Sequence, residues 1–230
     1  MIESLLPPGV VPVEAFADVP GENPFPGEED LVARSVEGRR REFITARRCA
    51  REALGRLGYP PGPIRSGARR EPRWPAGVVG SITHCAGYRA AAVAPGTVVA
   101  GLGIDAEPHD PLPEGVLGAV TTVGEPELLA RLAGADPSIH WDRLLFSAKE
   151  SIYKAWYPLT GRWLGFEDAR LSIEPAARTF AARLLVDGAR SDGGPPLIEL
   201  RGRYVVAQGL VMTAAFVAAS PPSMYQPGAG

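Results

Sequence analysis

Residues 141–157 read WDRLLFSAKESIYKAWY, and Leu145, Ala148, Ile152 and Ala155 recur at the spacing of a helix that buries one side. Asp142 stands where it would cap or charge the first turn, and Pro158 is expected to stop the helix at Tyr157. The segment holds both lysines of the chain, Lys149 and Lys154; 24 residues are Lys or Arg, and all the others are arginine. Lysine is a compact charge that grips a single oxygen, whereas arginine is a planar fork. Glu150 to Lys154 is an i,i+4 step, so the two share a face. As a solvated pair they would stabilise the helix by only about 0.3–0.5 kcal/mol. Their placement in a chain that otherwise uses arginine points instead to a site that needs an ammonium.

The 230-residue chain is 45% hydrophobic and 22% charged, which suffices for one large domain or two halves with cores of their own. A net charge of −2 argues against wrapping nucleic acid by global charge, so any attraction for phosphate must be local. The start, MIESLLPPGVVPVE, has Glu3 and prolines where an export signal carries basic and apolar regions. The longest apolar run, residues 209–219, falls short of the ~20 residues of a membrane span. The expectation is a cytoplasmic monomer with neither nucleic acid nor membrane as partner. Cys49 and Cys85 read as buried thiols rather than a disulfide.

Before the central segment, residues 1–29 are rich in Pro, Gly and Glu and read as an extended lead-in without regular structure. A long amphipathic helix follows from Asp30 to near Gly58, with Arg39 and Arg47 flanking its apolar stripe, where they could reach a bound anion. Residues 59–75, YPPGPIRSGARREPRWP, form a basic flap with Arg65 and Arg69. Three strand-like runs come next, at residues 78–84, 88–94 and 97–105. The first ends at His84, a donor to phosphate or ribose or else a structural histidine. The third ends in GLGIDAEP, where Asp105 and Glu107 are two apart and so project from one face. Paired carboxylates there call for a cation, and hard oxygen ligands suit Mg²⁺. His84, His109 and His140 are too scattered for zinc. Neither GxSxG nor a P-loop occurs.

Residues 108–138 are punctuated by Pro and Gly, with a short helix expected at 125–132. After the central helix come strands near 169–173, 180–186, 197–200 and 205–217, then a frayed tail from Pro221. Residues 30–105 and 142–217 thus share an order of long helix, loop and antiparallel strands. The reading is an α+β pseudo-dimer of two helix-plus-antiparallel-sheet halves, 1–108 and 109–230. Glu150 would meet Asp105 and Glu107 at the interface between them, where ligand pockets often form.

GIDAE at 103–107, followed by FSAKESIYK at 146–154, resembles the paired signature of the 4′-phosphopantetheinyl transferases, in the Sfp-type, enterobactin-synthetase-associated branch. RRREFITARRCARE and EPRWPAGVVGSITHC extend the resemblance over most of residues 30–170. It implies transfer of the phosphopantetheine arm of coenzyme A to a serine hydroxyl of an acyl or peptidyl carrier protein, releasing 3′,5′-ADP. The matching positions imply Asp105, Glu107 and Glu150 around Mg²⁺, with Glu150 taking the serine proton. Lys154 would meet the coenzyme A phosphates and Lys149 a phosphate nearby, with Arg39, Arg47 and His84 holding the nucleotide. Where relatives often carry a lysine in the loop before the Trp-Pro pair, this chain has Ser66, with Arg65 and Arg69 beside it as cofactor-binding candidates. A Mg²⁺-dependent hydrolase of diphosphate-linked nucleotides and a non-catalytic nucleotide-binding module would use the same residues. The residues do not distinguish fatty-acid, polyketide and nonribosomal-peptide carriers.

Overall fold

The structure, a computed structural model, describes residues 1–219, so the tail from Pro221 lies outside the described residues. Its first sheet contains β1 (Val11–Ala15), β2 (Val78–Cys85) and β3 (Tyr88–Pro95) in the antiparallel order β1-β3-β2. Helix α1 (Glu29–Val32) is one turn long, and α2 (Glu37–Arg56) packs Cys49, Ala50, Ala53 and Leu54 against Val13, Ala91 and Val93 of that sheet. The second sheet takes β4 (Val99–Pro108), β5 (Ala169–Glu174), β6 (Thr179–Leu184), β7 (Glu199–Ala207) and β8 (Leu210–Ala218) in the order β4-β8-β7-β6-β5. Between its strands lie α3 (Leu117–Val120), α4 (Glu125–Ala135) and α5 (Trp141–Thr160). The class is α+β with antiparallel sheets, as expected. α2 covers the first sheet and α5 the second, and β4, read in sequence with the strands of residues 30–105, is laddered instead to β8 in the second sheet.

Helix α5 packs mainly across β4 and β8, and the alternation of buried and exposed residues along β5, Ala169 to Glu174, adds Ala169, Leu171 and Ile173 to the same core. They meet Leu144, Leu145, Ala148, Ile152 and Trp156 of α5 in the largest core cluster. Burying a Leu, Ile or Phe side chain contributes about 1.5–3 kcal/mol, so this face accounts for the position of the helix. Gly101 and Gly103 of β4 allow the closest approach. A methyl on Gly103 would collide with the Ser151 carbonyl, and one on Gly101 would lie 2.8 Å from the Ala155 carbonyl.

Four expectations need correction. The lead-in is structured: β1 pairs with β3, a 3-10 turn spans Ile2–Leu5, and Ile2, Leu5 and Val13 are buried. The basic helix is broken, because α1 ends at Val32 and the chain passes through the extended Val36 before helix resumes at Glu37. Pro158 does not end α5, which runs to Thr160 and stops at left-handed Gly161. Residues 205–217 are a hairpin, since Gln208 and Gly209, both at positive φ, turn β7 into β8. Asp142 charges the first turn of α5 without capping it, and its carboxylate accepts the Leu112 N–H.

The two sheets meet through side chains. Ser81 Oγ accepts the Ile104 N–H at 3.0 Å, and Thr83 Oγ1 accepts the Ala106 N–H at 3.0 Å. Hydroxyls from β2 thus satisfy one edge of β4, whose other edge is laddered to β8.

Candidate functional site

β4 and α5 bring their polar residues together along one seam. Lys154 Nζ donates to Asp105 Oδ1 at 2.7 Å and to the Ile104 carbonyl at 3.0 Å. Thr83 Oγ1 lies 3.4 Å from the same carboxylate oxygen. Asp105 Oδ2 is buried with no hydrogen-bond partner. Glu107 Oε2 accepts from Arg143 at 3.1 Å. Burial, reinforced by the charge of Asp105 and opposed by Arg143 and Lys154, pushes the Glu107 carboxyl up to about 7. Glu150 is raised as well, by burial first, with Lys154 opposing and Asp105 adding. Both acids therefore sit where a negative charge is short of compensation.

Glu150 and Lys154 open onto a cavity of about 240 Å³ between the halves, which Arg39 and Arg47 of α2, Arg69 and Arg70 of the flap, and His84 of β2 line from the other side. Arg39 donates to His84 Nε2 at 2.6 Å and lies 3.3 Å from Glu42. Burial, with Arg39 beside it, takes His84 down to about 4, so its ring is neutral at physiological pH and can accept that N–H. Arg47 donates to the Ile64 carbonyl and to Ser66 Oγ, both at 3.0 Å, and stacks on Phe43. Its burial lowers the guanidinium to about 10. Ser66 thus ties the flap to α2. The flap closes on itself through the bridge between Ser66 and Pro72, and Arg69 reaches within 5.9 Å of the Trp163 ring from the opposite half.

On the other side of Glu150 a second cavity, about 110 Å³, is walled by Tyr153, Trp163, Leu164 and Phe166. Glu150 and Tyr153 border both cavities. A larger hollow of about 620 Å³ over β5 to β8, lined by Ser172, Arg201 and Phe216 among others, contains none of the sequence-derived site residues.

The structure gathers Asp105, Glu107, Glu150, Lys154, Arg39, Arg47, Arg69 and His84 around this seam and cavity. Two candidates lie elsewhere. Arg65 makes a bidentate pair with Asp30 at 2.5 and 2.8 Å and does not line the cavity. Lys149 is buried, its ammonium fixed by Glu125 and by the Phe166 carbonyl, each at 2.7 Å. Burial lowers its pKa while Glu125 opposes. Glu125 in turn accepts the Leu171 and Thr122 N–H groups, so Lys149 joins α4, α5 and β5 instead of meeting a phosphate in the arginine-lined cavity. The sequence reading also missed Arg143 and Glu125, for which no motif gives a signal, and Tyr153, which lies within FSAKESIYK.

Among the described residues no three His, Cys, Asp or Glu side chains form a ready-made metal cluster. The acids nonetheless fit a divalent cation. Asp105 Oδ2 is an orphaned buried oxygen, and Glu107 and Glu150 are held in protonation-prone surroundings that a cation would reverse. Cys49 and Cys85 are free, and burial pushes the Cys85 thiol up to about 12, which leaves it inert. No helix of the described residues is long and apolar enough to cross a membrane.

Comparison with known proteins matches residues 27–94 to the 4′-phosphopantetheinyl transferase N-terminal domain and residues 101–198 to the 4′-phosphopantetheinyl transferase superfamily. The chain is 55% identical over 222 residues to the 4′-phosphopantetheinyl transferase Svp of Streptomyces mobaraensis, covering 95% of this chain and 90% of that protein. It is 51% identical to PptT of Mycobacterium tuberculosis, over 93% of this chain and 96% of that one. Npt of Nocardia iowensis is also 51% identical, over 93% and 98% of the two chains.

Proposed function

The chain belongs to the 4′-phosphopantetheinyl transferase superfamily and is a transferase that loads carrier proteins with 4′-phosphopantetheine, and from that premise we propose how its cleft does so: coenzyme A is the donor, Mg²⁺ is required, and 3′,5′-ADP leaves. The observation that carries this reading is the position of Glu150. It is a half-buried acid without a hydrogen-bond partner among the described residues, and it borders both an arginine-lined cavity and an aromatic one. Phosphates and an apolar thiol arm differ in the same way. Arg39, Arg47, Arg69 and His84 bind the nucleotide and its phosphates, and the aromatic cavity takes the pantetheine arm, which places the diphosphate beside Glu150.

The carrier serine oxygen then forms a bond to the phosphorus bearing pantetheine, and the bond from that phosphorus to 3′,5′-ADP breaks. Glu150, directly or through a water, accepts the serine proton. Lys154 uses two of its three N–H donors on Asp105 and Ile104, which leaves the third for the charge growing on the departing phosphate. Asp105, Glu107 and Glu150 would hold the Mg²⁺, which neutralises diphosphate charge when bound.

The test is the mass of an apo carrier domain incubated with coenzyme A, with and without Mg²⁺. The expected result is a gain of one phosphopantetheine unit, dependent on the metal. Coenzyme A cleavage that needs no carrier, or transfer indifferent to Mg²⁺, would overturn it.

A further inference from the structure

Arg143, Ser147, Glu150 and Lys154 recur at i, i+4, i+7 and i+11, which places them along one side of α5. Three of the four find a partner on the strands opposite. Lys154 meets Asp105 at 2.7 Å, Ser147 meets Thr213 at 3.0 Å and Arg143 meets Glu107 at 3.1 Å. The two cations of the row thus divide the acid pair between them. Only the lysine belongs to the sequence signature; Arg143 does not.

Arg143 does more than pair with one carboxylate. Its side chain is only 14% exposed, its Nε donates to the Asp110 carbonyl at 3.0 Å, and its second terminal nitrogen donates to the Pro111 carbonyl at 2.8 Å. Next to it, Asp142 holds the Leu112 N–H at 2.8 Å. The first turn of α5 therefore clamps the chain where it leaves β4 and fixes Glu107 in the same grip. We propose that Arg143 is a positioning residue that sets the Glu107 carboxylate for the divalent cation of the site. The geometry needs a guanidinium, because one planar fork spans a carboxylate and two carbonyls, and a point-like ammonium cannot. Without Arg143, no cation is left within hydrogen-bond reach of Glu107 among the described residues.

The inference rests on the reading that Asp105, Glu107 and Glu150 take Mg²⁺, and the experiment separates the two. Mg²⁺ is titrated calorimetrically into the full-length protein without substrates, and transfer is followed against Mg²⁺ concentration. Arg143→Gln and Arg143→Lys are expected to need about tenfold or more Mg²⁺, the usual loss when the support of a ligand is removed, with KM for coenzyme A unchanged. Arg143→Lys retains the charge and carries the same test should Arg143→Gln fail to fold. Adding Arg143→Gln to Glu107→Gln should cost no further Mg²⁺ affinity. Arg143 variants that titrate like the native chain, or losses that add in the double variant, overturn the proposal. If Glu107→Gln itself titrates like the native chain, the acid-pair reading falls first.

Discussion

α2 and α5 are both 20 residues long and both reach the cleft, yet they differ in how many of their cations are tied to other elements. On α2, Arg48 and Arg51 reach Glu22 and the buried Glu28 of the lead-in, but Arg39, Arg41 and Arg56 pair with Glu42, Glu37 and Glu52 of the same helix. Such pairs contribute about 0–1 kcal/mol and are readily exchanged for a ligand's phosphate. On α5, Arg143, Lys149 and Lys154 each pair with an acid from another element: Glu107, Glu125 and Asp105. α2 thus presents part of its charge, whereas α5 fixes all of it. The donor substrate is therefore expected to depend on α2, and the chemistry and the fold on α5.

The strongest way to break this contrast is Glu150→Gln. Losing the base should cut transfer about 10²–10⁴-fold, read as carrier mass gain over time, with thermal unfolding retained. Turnover near the native rate would remove Glu150 from the chemistry. A second experiment sharpens the contrast within α5. Lys149→Met leaves Glu125 buried and unpaired, a loss of about 3–5 kcal/mol in denaturant unfolding. Lys154→Met, at a side chain 27% exposed, should cost less stability and most of the transfer. Equal destabilisation by the two would show that no division of labour exists along the helix.

The smallest expected effect is one of pH. Burial raises Glu107 to about 7 in the folded chain, from an ordinary value near 4.5. Between those values the folded state holds a proton that the unfolded state has released, so this contribution is complete below about 4.5 and fades as pH rises through 7. In metal-free protein, the stability of the native chain relative to Glu107→Gln should fall by about 3 kcal/mol from pH 4.5 to pH 8, measured by denaturant unfolding. A flat difference would mean that Glu107 is not desolvated at the seam.

Much of this was legible in sequence. Strand-like runs between the Ala86-Gly87 and Pro95-Gly96 turns located β2, β3 and β4, and the D-x-E spacing placed Asp105 and Glu107 on one face of β4, facing α5. What escaped had physical causes. Pro7, Pro8 and Gly9 masked a lead-in whose Ile2, Leu5 and Val13 are core residues, because Val11 and Val13 alone are too short an alternation to read as a strand. The hairpin at Gln208-Gly209 was hidden because glutamine is an unusual residue at positive φ. The two lysines were counted together, although five residues at ~100° each put them ~140° apart on the helix. That angle was available in the sequence, and it separates Lys154 at the cleft from Lys149 under α4.

In GLGID the second glycine acts as a gauge block. With only hydrogen at Gly103, the helix backbone rests directly on the strand, and the reach of Lys154 to the Ile104 carbonyl and to Asp105 follows from that clearance. A single added carbon would act as a shim, lifting α5 away from β4 and detuning every polar partner along the seam at once. The tolerance of the site is thus set by an atom that is not there.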